Sequence, residues 1–533
     1  MRSGDRDAPA TTALQRFDLV IIGGGINGAG IARDAAGRGL SVLLAEQHDL
    51  GGATSSASTK LIHGGLRYLE HFEFRLVSEA LDEREALLGI APHIIWPLEF
   101  VLPHEKHLRP AWMLRAGLFL YDHLGRGAFA LRGGSSSLPR SRAVRLSGDG
   151  YGAGLKPEFS SGFSYYDCWV DDARLVVLNA RAAAARGAQI LTRMRVTRAV
   201  RVDDDAGDIW QVTLQDAGGR NERTVAARVL VNAAGPWVKQ VLDDEVGVRS
   251  PARVRLVKGS HIVVPRIHER KHAFILQNPD RRIIFMIPYE REFTLIGTTD
   301  VPVPAGVEGQ SVNPVPTPAE IAYLCDSASR YSAVAITPEQ VRWSYSGVRA
   351  LYDDGNSDPS AVTRDYHLLL DQGEGRRTAP LLSVFGGKIT TYRRLAEQAM
   401  KKLDPWFPGT RAWTSTEALP GGGFAPATVG AAGGFDALLA TLRSTYPALP
   451  PTFLVRLARR HGTLAADILG KAQRETDLGE HYGGGLYEAE LRYLIAHEWA
   501  READDVLWRR TKCGLHMTLS ERSQLADAMR TLT

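Results

Sequence analysis

Residues 17–46, FDLVIIGGGINGAGIARDAAGRGLSVLLAE, decide how this chain folds. Phe17 to Ile22 is a short apolar run suited to a buried parallel strand, and it leads directly into Gly23, Gly25 and Gly28 in a G-x-G-x-x-G pattern. Gly23 permits a tight turn, Gly25 lets a pyrophosphate approach the backbone, and Gly28 lets the following helix, Ile26 to Arg38, pack close to the sheet. The positive end of that helix, with Asn27 in its first turn, then faces phosphate. A second strand, Ser41 to Ala45, ends at Glu46, about 20 residues beyond the glycines, where a carboxylate can bond an unphosphorylated ribose. At this point NAD and FAD both fit.

Two later segments favour the longer cofactor. VLVNAAGPW (229–237) and LSVFGGKITT (382–391) each read as a strand running into small residues, Ala234 and Gly235 in the first and Gly386 and Gly387 in the second. Lys388 and Thr390 follow, at a helix expected to begin near Ile389, whose positive end suits a flavin ring that gains negative charge on reduction. Thr54, Ser55, Ser56 and Lys60 supply hydroxyl and ammonium groups that could line the flavin region. Read alone, either segment could be only a sheet edge with a turn.

A chain of 533 residues exceeds what one hydrophobic core supports, so more than one structural unit is expected. The 64 Lys and Arg against 60 Asp and Glu leave +4, too small an excess to argue for nucleic acid as a partner. Cys168, Cys325 and Cys513 are far apart and form no C-x-x-C pair, which speaks against a disulfide framework, an iron–sulfur cluster or a zinc site. Residues 1–15 read as a loose tail. No apolar stretch approaches the roughly 18 residues of a spanning helix, so any membrane contact is expected to be peripheral. The Gly-, Ala- and Pro-rich stretch 419–434 marks the main boundary. Beyond it Leu491, Leu494, Ile495 and Trp499 fall on one face of a helix, with Glu490, Arg492, Glu498 and Arg501 around the other side, which predicts a small helical domain.

Taken together, GGGINGAGIARDAAGRG (23–39), ATSSASTKLIHGGLRYLE (53–70), KGSHIVVP (258–265), IGTTD (296–300), YSGVRAL (345–351), TRDYHLLL (363–370), SVFGGKITTYRRLAE (383–397) and HEWAREADDVLWRRTK (497–512) resemble the respiratory FAD-dependent glycerol-3-phosphate dehydrogenases of the bacterial, membrane-associated type. The resemblance implies an α/β fold in which a Rossmann-type FAD-binding domain is interleaved with a mixed-sheet substrate domain, as in glycine oxidases. The FAD-binding parts would be about 16–90, 160–240 and 345–405, and the substrate parts about 91–159 and 241–344, within a region 16–415. A C-terminal helical domain, 435–533, follows. It also implies FAD as cofactor, sn-glycerol 3-phosphate as substrate, a quinone as electron acceptor, a homodimer, and a peripheral position on the cytoplasmic face of the cell membrane.

Oxidising a secondary alcohol sends a hydride from C2 to the flavin and the hydroxyl proton to a base. Guanidinium groups suit the phosphate. Arg67, Arg349 and Arg364 sit in segments that resemble the family's substrate pocket, with Tyr68 and Lys388 beside them. His261 is a candidate base because imidazole titrates near neutral pH; alternatively Arg349 stabilises the alkoxide while solvent takes the proton. His63, His104 and His107 lack a compact ligand set, so no metal is expected. Lys106 to Leu124, with Trp112, Met113, Leu114, Leu118, Phe119 and Leu120 among Lys106, Arg109 and Arg115, resembles an interfacial amphipathic helix and equally an ordinary packed one. An oxygen-using oxidase, on glycerol 3-phosphate or an amino acid, and a non-catalytic flavin-binding scaffold are the competing functions.

Overall fold

The computed structural model describes residues 14–105, 110–131, 138–147, 150–204, 207–250, 252–280, 282–304, 314–353, 365–373, 378–426, 429 and 433–533. Within these the chain builds two sheets and a helical C-terminal region. The first sheet has eight strands. Its centre is parallel: Gln15–Ile22 lies between Glu222–Asn232 and Val42–Glu46, and Leu381–Phe385 and Gln189–Thr192 extend it on either side. Where both faces are covered the central strands are apolar, at Leu19–Ile22, Val42–Ala45 and Val229–Val231. On one face the helices Ile26–Gly37, Asp172–Ala184 and Tyr392–Lys402 bury Ile21, Ala32, Leu44, Val177 and Leu395. On the other, the antiparallel ribbon Met194–Val202 and Ile209–Asp216 closes over Val20, Leu43, Trp210 and Leu230.

The second sheet has ten strands and is mostly antiparallel. The long strands Arg253–Pro265 and Trp343–Asp353 form one hairpin-like pair in it, and Ile95–Pro103 pairs with Ser161–Val170. Two segments expected in the FAD-binding parts, Ser161–Val170 and Trp343–Asp353, thus belong to this second sheet. Their composition suits a strand of either sheet, so only strand pairing distinguishes them. Helices Phe74–Ile90 and Ala111–Leu131 cover one face and helix Pro318–Ser329 the other. The last of these starts from a capping box, Thr317 with Glu320.

The C-terminal region is helical, with two cores around Leu457 and Leu494. Helix Glu488–Glu498 buries Leu491 and Leu494 as expected, whereas Ile495 is half-buried and Trp499 lies just past the helix end in a left-handed turn. The charged face departs from the expectation: Glu490 and Glu498 are buried. Glu490 bonds Arg460 and His461, and Glu498 forms a wholly buried pair with Arg174 of the Asp172–Ala184 helix, Nη2–Oε1 3.0 Å. This helix packs on both sides, one against its own domain and one against the helices of the first sheet, and periodicity alone cannot show the second contact.

Removing one partner of such a pair leaves the other charge buried and unpaired, at a cost of about 3–5 kcal/mol. Glu498→Ala is expected to lower the thermal midpoint by several degrees. The double variant Arg174→Met, Glu498→Leu should recover much of that loss, and thermal denaturation followed by circular dichroism reads both.

Candidate active site

A cavity of about 870 Å³ runs along the C-terminal ends of the parallel strands and onto the face of the second sheet. One end is the fingerprint. Gly23 has φ +105° and the helix Ile26–Gly37 crosses so close that a Cβ on Gly28 would lie 2.0 Å from Gly23 O. Gly24 N–H donates to Glu46 Oε2 at 2.7 Å, and His48 N–H to Oε1 at 2.7 Å, so the acid at the end of the second strand is fixed against the loop. Burial pushes the Glu46 carboxyl above its usual range, against those two amide donors. Ser55 Oγ accepts from Ile26 N–H at 3.0 Å and Thr54 Oγ1 donates to Val348 O at 2.6 Å, tying the 54–56 turn to both halves of the site. Ala234 and Gly235 line the cavity beside them.

The other end is bare backbone. Gly259 and Gly347 lie opposite one another in the paired strands, and His261 lies opposite Tyr345. A Cβ on Gly259 would meet Thr298 Oγ1 at 2.7 Å, and one on Gly347 would meet Ala57 Cβ at 3.0 Å. The rim above them is FGGKIT: Gly386 and Gly387 have φ +74° and +101°, Asn27 Nδ2 donates to Gly386 O at 3.1 Å, and His63 N–H donates to Thr390 Oγ1 at 3.3 Å. Six buried side-chain atoms of the cavity walls have no partner among the described residues: Asn27 Oδ1, Arg193 Nη1, Gln240 Oε1, Glu245 Oε2, His261 Nδ1 and Lys388 Nζ. A long, narrow cleft with a glycine floor and orphaned donors and acceptors is built for a bound group that satisfies them.

The comparisons identify that group. Residues 18–393 match the family model "FAD dependent oxidoreductase", and residues 415–532 match "C-terminal domain of alpha-glycerophosphate oxidase". The chain is 51% identical to the aerobic glycerol-3-phosphate dehydrogenase of Escherichia coli (strain K12), over 96% of this chain and 97% of that one. It is 50% identical to the D-erythritol 1-phosphate dehydrogenase of Brucella abortus (strain 2308), over 96% and 97%. The chain belongs to the FAD-dependent glycerol-3-phosphate dehydrogenase family. A solved structure of the glycerol-3-phosphate dehydrogenase from Bacillus halodurans, complexed with FAD, superposes with a TM-score of 0.68 at 25% identity, covering 97% of this chain and 94% of that one.

FAD is therefore the cofactor, and the cleft fits it. Gly23, Gly25, Asn27, Gly28 and Glu46 would hold its nucleotide half, and Thr54, Ser55, Ala234, Gly235, Gly386, Gly387, Lys388 and Thr390 line or border the rest. Two expected contacts fall elsewhere. Lys60 is fully buried, at φ +61°, with its ammonium committed to Ser56 O at 3.0 Å and Asp172 at 2.8 and 2.9 Å, so it supports the turn from behind. Ser56 faces a neighbouring pocket of about 280 Å³ walled by Trp237, Trp343 and Trp508.

Of the substrate candidates, Tyr68, Arg349 and Lys388 line the cavity. Lys388 Nζ sits 4.0 Å from the centre of the Tyr68 ring, and Arg349 is ion-paired with Asp300 of the IGTTD turn. The Arg67 side chain and all of Arg364 lie outside the described residues, as do Lys106, His107 and Arg109. His261 lines the cavity with Nε2 3.0 Å from Thr59 Oγ1, but burial, reinforced by the Lys60 and Arg349 cations, pushes its pKa down to about 3. Its expected titration near neutral pH does not survive this environment. His63, read from sequence only as a poor metal ligand, also lines the cavity, while among the described residues no group of three His, Cys, Asp or Glu could hold a metal. Arg193, Thr298 and Arg509 were missed. Arg193 carried no motif, and Thr298 and Arg509 lie in segments recognisable only by resemblance.

The Gly28 contact gives a sharp test. Gly28→Ala is expected to yield protein purified with little or no flavin and a lowered thermal midpoint. Gly89→Ala, at a helix position where a Cβ meets nothing within 4 Å, should keep full flavin content and gain a few tenths to about 1 kcal/mol.

Proposed function

We propose that the chain oxidises sn-glycerol 3-phosphate to dihydroxyacetone phosphate and passes the electrons to a membrane quinone. The observation that carries the substrate reading is the buried, unpartnered ammonium of Lys388 in the cavity that Arg349 also lines. A buried cation without an acceptor calls for an anion, and a phosphate dianion supplies one. When bound, FAD takes the hydride that leaves C2. With a pKa near 3, His261 stays neutral and orients the hydroxyl through its free Nδ1, Arg349 stabilises the alkoxide as it forms, and the proton leaves to solvent. The Brucella abortus relative, named for D-erythritol 1-phosphate, is nearly as similar, and both compounds present a secondary alcohol beside a terminal phosphate ester.

Membrane contact rests on an exposed apolar face. Helix Ala111–Leu131 turns Leu118 and Tyr121 inward and leaves Trp112 (72% exposed) and Phe119 (62%) outside, with Phe72 (78%) on the adjoining turn. Arg115 is exposed on the same helix, a composition suited to an anionic lipid surface. Among the described residues no helix is long and apolar enough to cross a membrane. A homodimer rests on the family resemblance alone.

Anaerobic addition of sn-glycerol 3-phosphate should bleach the flavin, D-erythritol 1-phosphate should do so more slowly, and glycine should have no effect. A quinone analogue should restore the absorbance faster than air; rapid reoxidation by air alone would indicate an oxidase. Lys388→Met should raise KM by roughly ten- to a hundredfold, the value of a charge-assisted hydrogen bond. Equal reduction kinetics in Lys388→Met and the parent would remove the phosphate assignment. Trp112→Ser with Phe119→Ser should move the protein from the membrane fraction to the supernatant while dye-linked activity persists.

A further inference from the structure

The C-terminal region, residues 415–532, reaches into the cofactor cleft. Glu502 and Arg509 are on the cavity wall together with Asp49 and Gly51, which follow the nucleotide-binding acid Glu46. Arg510, fully buried, grips Asp49 with both arms of its guanidinium, Nη1–Oδ2 2.6 Å and Nη2–Oδ1 2.7 Å. Arg509 adds Nε–Oδ2 at 2.5 Å. Burial alone would push the Asp49 carboxyl up; the two guanidiniums overcome it and hold the group below the usual carboxylate range. The turn that Asp49 begins is bonded in its own right to the fingerprint, Gly51 N–H donating to Gly24 O at 2.9 Å. A continuous chain of bonds thus runs from the C-terminal region through Asp49 to Gly24.

A second link closes from the opposite side. Arg193, a non-glycine residue at φ +56°, donates its backbone N–H to His48 O at 2.8 Å and its Nη2 to Asp505 Oδ2 at 2.8 Å. Its Nη1 is buried without a partner among the described residues, and Arg193 is on the cavity wall. Asp505 in turn pairs with Arg509.

We propose that the C-terminal region is a clasp on FAD: it fixes the Asp49 turn and places the Arg509 cation on the cleft wall, so that release of the cofactor requires these contacts to open. Arg509 and Asp49 are positioning residues for the cofactor and take no part in hydride transfer. The cofactor end of the site therefore depends on a region the fingerprint does not include.

The test follows FAD release from the full-chain holoenzyme without substrate, as the rise in free-flavin fluorescence after dilution. Arg509→Gln should speed release by about tenfold, in line with one charge-assisted hydrogen bond. Arg509→Lys, which keeps the cation, should fall between Gln and the parent, and Asp49→Asn should release fastest. Parent-like release in both Arg509→Gln and Asp49→Asn, with unchanged far-ultraviolet circular dichroism, would overturn the proposal. Should Asp49→Asn fail to fold, Arg509→Gln decides alone, since Arg510 keeps its own two bonds to Asp49. Because no substrate is present, either result leaves the substrate assignment untouched.

Discussion

Everything in this molecule hangs on how closely one helix can approach one strand. At Gly28 the Ile26–Gly37 helix passes within a distance of Gly23 that no side chain permits, a Cβ there standing 2.0 Å from a carbonyl oxygen. That approach fixes the helix N-terminus at the mouth of the parallel sheet, where its unpaired amides and partial positive charge face the cleft. From this fixed point the rest is placed. Asn27 reaches Gly386 across the cleft, Gly387 abuts Asn27, and Tyr392 packs where a Cβ on Gly30 would be 2.7 Å away. Two segments more than 350 residues apart in sequence are therefore held by contacts that tolerate almost no displacement.

Buried charge does the joining elsewhere. Lys60 with Asp172, Arg84 with Asp167 and Arg174 with Glu498 all sit in the interior, each with additional hydrogen bonds. Such pairs offset their desolvation only when geometry is good, so they add little net stability, but they penalise any arrangement that separates them. Each joins different parts of the chain: a cofactor turn to a helix, a helix to the second sheet, the FAD region to the C-terminal region. They select this arrangement over looser ones of similar hydrophobic burial.

The same distinction explains what could be read from the sequence. The fingerprint from Phe17 to Glu46 was legible because its physics is local: strand, bare turn, helix and acid lie within one short stretch. Gly386 and Gly387 were legible for the same reason. The assignment of Ser161–Val170 and Trp343–Asp353 to the second sheet was not, because strand-like composition does not name a strand's partner. Lys60 stands six residues from Thr54 in a segment rich in hydroxyls, and nothing local reveals that Asp172, over a hundred residues away, takes its charge. His261 was read as a candidate base, and it lines the cavity, but its pKa depends on burial and on Lys60 and Arg349, which the fold and not the strand brings near.

The two cations of the substrate end are not equivalent, and the difference divides their roles. Arg349 already has an anionic partner in Asp300, so a phosphate arriving there would compete with a carboxylate held on the same sheet. Lys388 has the face of Tyr68, a contact worth about 2 kcal/mol when desolvated, and no anionic acceptor among the described residues. On the proposed substrate reading, a dianion meets no competing carboxylate at Lys388, and Lys388 would be its anchor. Arg349, kept in place by Asp300, is better suited to a charge that appears only during the reaction. Pairing in the resting state keeps its guanidinium oriented, and the alkoxide need only strengthen an interaction whose geometry is already set.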